Sequence, residues 1–177
     1  MSLHPSLQAA WQSTRAARSS AADAPAVVLH IGNEASQVAA GAGEAADFVA
    51  TLAVGARRTG TGEFRHDPPT PHEMELAIMT VEDEVMPLAG RLPPGALLYT
   101  ADDGIRQIAR IAGLADAPLM VLPRDEVERV YNLLAAVALG RPASISGVRT
   151  DPPFAATLTI LREFMHHLGF EAITITG

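Results

Sequence analysis

Ala26-Val-Val-Leu-His-Ile-Gly-Asn-Glu-Ala-Ser-Gln-Val-Ala-Ala-Gly-Ala42 is the stretch that decides how the rest of the chain is read. Ala26 to Ile31 is an apolar, β-branched run, Gly32-Asn33-Glu34 is a polar break, and Ala35 to Gly41 is a second apolar run. Two such runs around a short Gly-containing break predict a β-hairpin, with strands at 26–31 and 35–41. A third strand is expected at 46–54, where Phe48, Ala50 and Leu52 alternate with Asp47, Val49 and Thr51. Gly41-Ala-Gly43 supplies the turn between the second and third. The domain therefore opens as an antiparallel meander.

Upstream of the hairpin, Leu7, Ala10, Trp11 and Thr14 recur at helical spacing and predict a short amphipathic helix. Trp11 reads as a cap on an exposed edge of the core rather than a ligand contact. Met1-Ser2-Leu3 fits a vector scar as well as a native start, and Ser19 to Pro25 reads as a linker. This divides the chain into a helix and linker at 1–25 and one domain at 26–177.

Downstream, residues 55–69 read as a polar, Arg-rich connection. Asp67-Pro-Pro-Thr-Pro-His-Glu73 then signals a helix start: Thr70 is placed as N-cap, Pro71 as the first helical residue, and Glu73 closes a capping box. That helix is expected to run to about Leu88 with Met74, Ile78, Val81, Val85 and Leu88 on one stripe. Its Glu82-Asp83-Glu84 run reads as a solvated face, with a paired-carboxylate site as the alternative. A buried strand at 96–100 follows, then a helix opened by Asp102-Asp103-Gly104. After it come a brief strand at 119–122 and a helix from Pro123 to about Leu139. Asp151-Pro152 starts the last helix, Gly169 stops it, and 171–176 is a final strand. The order β-β-β-α-β-α-(β)-α-α-β implies an α/β fold, a mixed sheet of about five strands with helices packed on it.

Composition removes several chemistries. The 177 residues contain no Cys, so thiol nucleophiles, disulfides and Cys-type zinc sites are out. All 13 basic side chains are Arg, so there is no Walker-A, Schiff-base or general-base lysine. A net charge of −7 argues against a nucleic-acid binder. No apolar run approaches the length of a membrane span, and no apolar h-region marks a secretory signal. The chain reads as a soluble, cytoplasmic protein.

Three segments, in order, resemble the exopolyphosphatase / guanosine pentaphosphate phosphatase (Ppx/GppA) family of the actin-like ATPase superfamily. Leu29-His-Ile-Gly-Asn-Glu-Ala-Ser-Gln37 resembles its second phosphate loop, which typically reads Asp-Ile-Gly-Gly-Gly-Ser-Thr-Glu. Phe64-Arg-His-Asp-Pro-Pro-Thr-Pro-His-Glu-Met74 resembles its Pro-Pro-Thr helix start, and Phe154 to Thr176 its closing helix and strand. The resemblance spans about residues 26–177. It implies a ribonuclease-H-like half-domain, the second of the two that build such proteins.

The departures are specific. The first half-domain, with its own Asp-Ile-Gly-Ser-Asn-Ser loop and its water-activating glutamate, has no counterpart. His30 stands in place of the loop's aspartate, and Asn33 and Glu34 in place of glycines whose bare backbone can approach a phosphate. Thr100-Ala-Asp-Asp-Gly104 stands in place of a Gly-Gly-Thr segment.

Each candidate site has two readings. Gly32, Asn33 and Ser36, with Thr100 and Gly104, are degenerate phosphate-binding candidates; the alternative is an ordinary hairpin turn. Asp102 and Asp103 could hold Mg²⁺ or, instead, stabilise a helix N-terminus. His30 is a possible base or a structural strand histidine. Arg57 and Arg58 read as a solvated loop or an attractor for an acidic ligand. No catalytic residue is assigned. The resemblance implies a domain that does not hydrolyse by itself, with a regulatory, partner-binding or weak phosphate- or nucleotide-binding role. Two alternatives stand: a Mg²⁺-dependent polyphosphate or guanosine polyphosphate hydrolase completed by a second half-domain, or a structural module. A phosphorylated small molecule, polyphosphate or a second copy are the expected partners.

Overall fold

The computed structural model describes residues 5–18 and 24–177. Residues 19–23 of the linker expected at Ser19 to Pro25, and Met1-Ser2-Leu3, lie outside the described residues. Helix α1 (Pro5–Ala17) precedes the meander β1 (Ala26–Ile31), β2 (Ser36–Gly41) and β3 (Phe48–Leu52). Helices α2 (Ala56–Glu63) and α3 (Pro71–Val85) follow, the latter ending in a 3-10 turn at Met86–Leu88. Then come β4 (Leu97–Thr100), α4 (Asp103–Ile111), β5 (Leu119–Pro123), α5 (Arg124–Ala138), the short α6 (Ala143–Ser146), α7 (Pro152–Leu168) and β6 (Ala172–Thr176).

The sheet is mixed, in the order β3-β2-β1-β4-β6-β5. β1 pairs antiparallel with β2 and parallel with β4; β6 pairs parallel with β4 and antiparallel with β5. It has six strands rather than about five, because Leu119–Pro123 pairs along its whole length with β6.

Both faces of β1 are covered, which is why its sequence is apolar without alternation. Val27, Leu29 and Ile31 enter the main core with α3, α4, α5 and α7. Ala26 and Val28 face the other way and meet Leu7, Ala10 and Trp11 of α1, joined by Ala39 and Tyr99. Trp11 is buried and its Nε1–H donates to the Glu44 carbonyl at 3.0 Å. Helix α7 is the centre of the main core. Phe154, Ala155, Leu158, Ile160, Leu161, Phe164 and Met165 are all buried, so the helix is apolar nearly all round, as a helix packed on every side must be. Asp151 caps its start, and Gly169, at φ 74°, ends it in the left-handed conformation that favours glycine.

The capping box of α3 forms as its sequence specifies. The Glu73 backbone N–H donates to Thr70 Oγ1, and Glu73 Oε2 accepts from the Thr70 N–H at 2.8 Å. Glu73 Oε1 also accepts from the Arg65 N–H at 3.0 Å and meets His66 Nδ1 at 2.8 Å. Burial alone would push this carboxyl up; the hydrogen bonds outweigh it and hold it down at about 2.

Residues 56–63 correct the expected connection: they form α2. Gly60 and Gly62 disfavour a helix, and no apolar stripe announces one. Tertiary contacts override this. Thr59 and Gly60 are buried, and Gly60 lies so close to Pro152 at the start of α7 that an added Cβ would sit 3.1 Å from its carbonyl.

Candidate functional site

The β1–β2 turn is built on α2. The Ala56 N–H donates to the Gly32 carbonyl at 2.9 Å, and the Arg57 and Arg58 N–H groups donate to the Asn33 carbonyl at 3.0 and 2.9 Å. A helix N-terminus is a ready anion site because its first N–H groups lack intrahelical partners. Here the turn's own carbonyls fill it. Gly55 makes the fit possible: a Cβ there would lie 2.6 Å from the Asn33 carbonyl oxygen, 2.7 Å from that of Gly32 and 2.8 Å from Ala35 N. Its φ of −161° is ordinary extended backbone, so the requirement is space alone.

The turn and the start of α4 meet at the end of the parallel pair β1 and β4. His30 Nδ1 lies 2.6 Å from Asp102 Oδ1, and the Ile31 N–H donates to Asp102 Oδ2 at 2.6 Å. Hydrogen bonding to Asp102 raises the His30 pKa above its ordinary 6.5; burial opposes this, and the carboxylate charge adds to it. Asp102 was a candidate helix cap, but its side chain makes no cap bond to α4. It clamps the neighbouring strand instead, while its own N–H donates to Thr100 Oγ1 at 3.1 Å.

Two adjoining hollows flank this pair. One, of about 530 Å³, is lined by Ser6, His30 and the turn from Ile31 to Ala35, with Gln37. The other, of about 400 Å³, runs along the Ser6–Ala9–Ser13 side of α1 past Asp102, Asp103 and Gly104. The structure thus gathers His30, Gly32, Asn33, Asp102, Asp103 and Gly104 around one cleft. It turns two other candidates inward. Ser36 is fully buried and its hydroxyl donates to the Val54 carbonyl at 2.7 Å. Thr100 is fully buried, with its carbonyl accepting from Thr176 Oγ1 at 3.2 Å.

Glu34, which would repel an anion if unpaired, forms an ion pair with Arg57. Arg58 lines a separate surface hollow with Glu63, Asp83 and Glu84. Gln37 was not singled out in the sequence. It pairs across the sheet with His30, and its amide oxygen is buried without a hydrogen-bond partner among the described residues. Its place opposite His30 in a predicted hairpin was the signal that could have found it.

Asp102 accepts one hydrogen bond on each carboxylate oxygen, which ties it to β1 and leaves each oxygen a second lone pair. Among the described residues no group of three or more His, Asp or Glu converges as a metal site. No described helix is long and apolar enough to cross a membrane.

No family model and no curated protein matches the sequence. Solved structures do. The Ppx/GppA enzyme of Aquifex aeolicus superposes with a TM-score of 0.78 at 14% identity, over 97% of this chain and 58% of that one. Its type II variant gives 0.77 at 13% identity, over 99% and 60%. An exopolyphosphatase from Cytophaga hutchinsonii ATCC 33406 gives 0.69 at 14% identity, over 94% and 58%. The fold is that of the Ppx/GppA phosphatases, of the actin-like ATPase type. The chain spans about six-tenths of the length of these structures.

Proposed function

We propose that this chain is a cytoplasmic, Ppx/GppA-fold module that does not hydrolyse phosphoanhydrides by itself, and that acts in regulation or partner binding through its cleft and through a homodimer. One observation carries the reading: both oxygens of Asp102, the most enclosed carboxylate of the cleft, accept hydrogen bonds from His30 and Ile31. Those two bonds aim the carboxylate at β1, whereas a water-activating carboxylate must be turned to the reacting centre. Of the other acids here, Asp103 is exposed on the first turn of α4 and Glu34 is paired with Arg57. The cleft retains weak affinity for a phosphorylated small molecule or polyphosphate, with the His30 ring and the Asn33 amide as the polar groups that line it. Gln37 adds a buried acceptor for a ligand hydroxyl.

The test is phosphate release from polyphosphate and from guanosine tetraphosphate by the purified chain with Mg²⁺, alongside thermal unfolding with each ligand. The expected result is no release above the blank and a small upward shift of the melting temperature. Sustained release overturns the reading. No shift with any ligand leaves a structural module in its place.

A second reading has support of its own. The matched exopolyphosphatase fold is longer than this chain, so a hydrolase completed by a second half-domain fits the coverage. It requires Mg²⁺-dependent release that appears only when that half is supplied.

A further inference from the structure

Among the described residues the outer edge of β5 is unpaired, and its register can be read from its inner side. The Gly177 N–H donates to the Pro118 carbonyl and the Arg124 N–H to the Glu171 carbonyl, each at 2.8 Å. In an antiparallel pair, hydrogen-bonded positions alternate, so 118, 120, 122 and 124 turn their backbone groups to β6. The backbone groups of Leu119, Val121 and Pro123 therefore point outward. Met120 and Leu122 enter the main core, which leaves Leu119 and Val121 on the α1 side of the sheet at 50% and 53% exposure. Helix α1 covers β1, β2 and Tyr99 on that side and leaves these two uncovered.

The opposite edge differs. There the Arg91 guanidinium lies 4.9 Å from the Phe48 ring centre, and Glu84 takes the Ala53 N–H just past β3. Charged side chains guard that edge, whereas β5 from Leu119 to Pro123 carries none.

We infer that β5 pairs with β5 of a second copy, antiparallel about a two-fold axis at Met120. Leu119 then faces the partner's Val121, and Val121 the partner's Leu119, each pair exchanging both N–H···O bonds. The four apolar side chains form one patch across the axis. The charges agree at both ends. Asp116 falls opposite the partner's Arg124. Asp116 is held by Arg106 at 3.0 Å and Arg110 at 2.6 Å, a cluster of net charge +1. Arg124 sits with Glu171 at 3.0 Å and the adjacent exposed Asp125, a cluster of net charge −1. Two-fold symmetry brings these clusters together twice and closes the contact.

The inference rests on the homodimer of the preceding section and is independent of the cleft. Sedimentation velocity over a concentration series should show twice the chain mass at the upper end. Val121→Lys should return the monomer with circular dichroism unchanged and with melting no longer dependent on concentration. The chain has no Cys, so Leu119→Cys and Val121→Cys variants carry one thiol each. Facing residues in hydrogen-bonded pairs lie about 5.5 Å apart at Cα, within disulfide range. A mixture of the two variants should therefore oxidise to the heterodisulfide in excess over either homodisulfide. A monomer at every concentration overturns both the homodimer and this surface. A dimer that survives Val121→Lys, or one without heterodisulfide preference, overturns the surface alone. Neither outcome bears on phosphate release.

Discussion

Asp102 holds His30 across the ends of two parallel strands, with 2.6 Å between Oδ1 and Nδ1. The histidine gains a partner on folding, so its pKa rises. A raised folded pKa stabilises the protein fully below the unfolded value of 6.5, and that contribution is lost as pH rises through the folded value. Histidine proton resonances followed against pH should show the His30 titration displaced upward. Asp102→Asn should bring it back toward 6.5 and cost about 1–3 kcal/mol below neutral pH, measured by urea unfolding.

Glu73 has the opposite sign. Its folded carboxyl is held at about 2 against 4.5 unfolded. The stability it adds is present above 4.5 and lost as pH falls toward 2, up to about 3 kcal/mol in all. Glu73→Gln should cost about 1–3 kcal/mol at neutral pH and flatten the stability profile below pH 4.5. Chemical denaturation at a series of pH values checks both.

Gly55 and Gly62 make a matched pair. Gly55→Ala puts a Cβ against three backbone atoms of the β1–β2 turn and should destabilise by about 1–3 kcal/mol. Gly62→Ala meets nothing within 4 Å inside α2 and should stabilise by roughly 0.5–1 kcal/mol. Urea midpoints of the two variants should move in opposite directions.

Trp11 is the chain's single tryptophan and is 3% exposed under α1. Ala10→Asp would bury an unpaired carboxylate beside it, so α1 should leave the sheet. The expected reading is a red shift of tryptophan emission with most of the far-ultraviolet circular dichroism retained.

In the helix layer, Phe164→Ala removes a fully buried ring stacked on Phe170 with centroids 5.9 Å apart. The cost should be about 3–5 kcal/mol by the same denaturation assay.

What could be read in advance was what is local. Thr70, Pro71 and Glu73 lie within four positions of one another, and their cap needs nothing from elsewhere. The alternation of Phe48, Ala50 and Leu52 places a face without reference to other strands, and all three pack in the main core. Helix α2 was missed for the converse reason. Its Gly60 is chosen by the approach of α7, about ninety residues away in sequence, and local propensity argues against it. In the cleft, Gly32 and Asn33 were visible as a turn, yet the direction of their carbonyls depends on α2. The engagement of Asp102 with His30 spans 72 positions, a contact that spacing alone does not reveal.

The position of β6 has a consequence for synthesis on the ribosome. β6 follows β4 and β5 in the sequence yet is seated between them. Until residues 172–176 are released, β4 has an open edge and β5 has no neighbour to pair with. The meander and α1 can assemble early from the first third of the chain. The elements that follow must wait with their apolar surface uncovered, in the state that holding chaperones recognise.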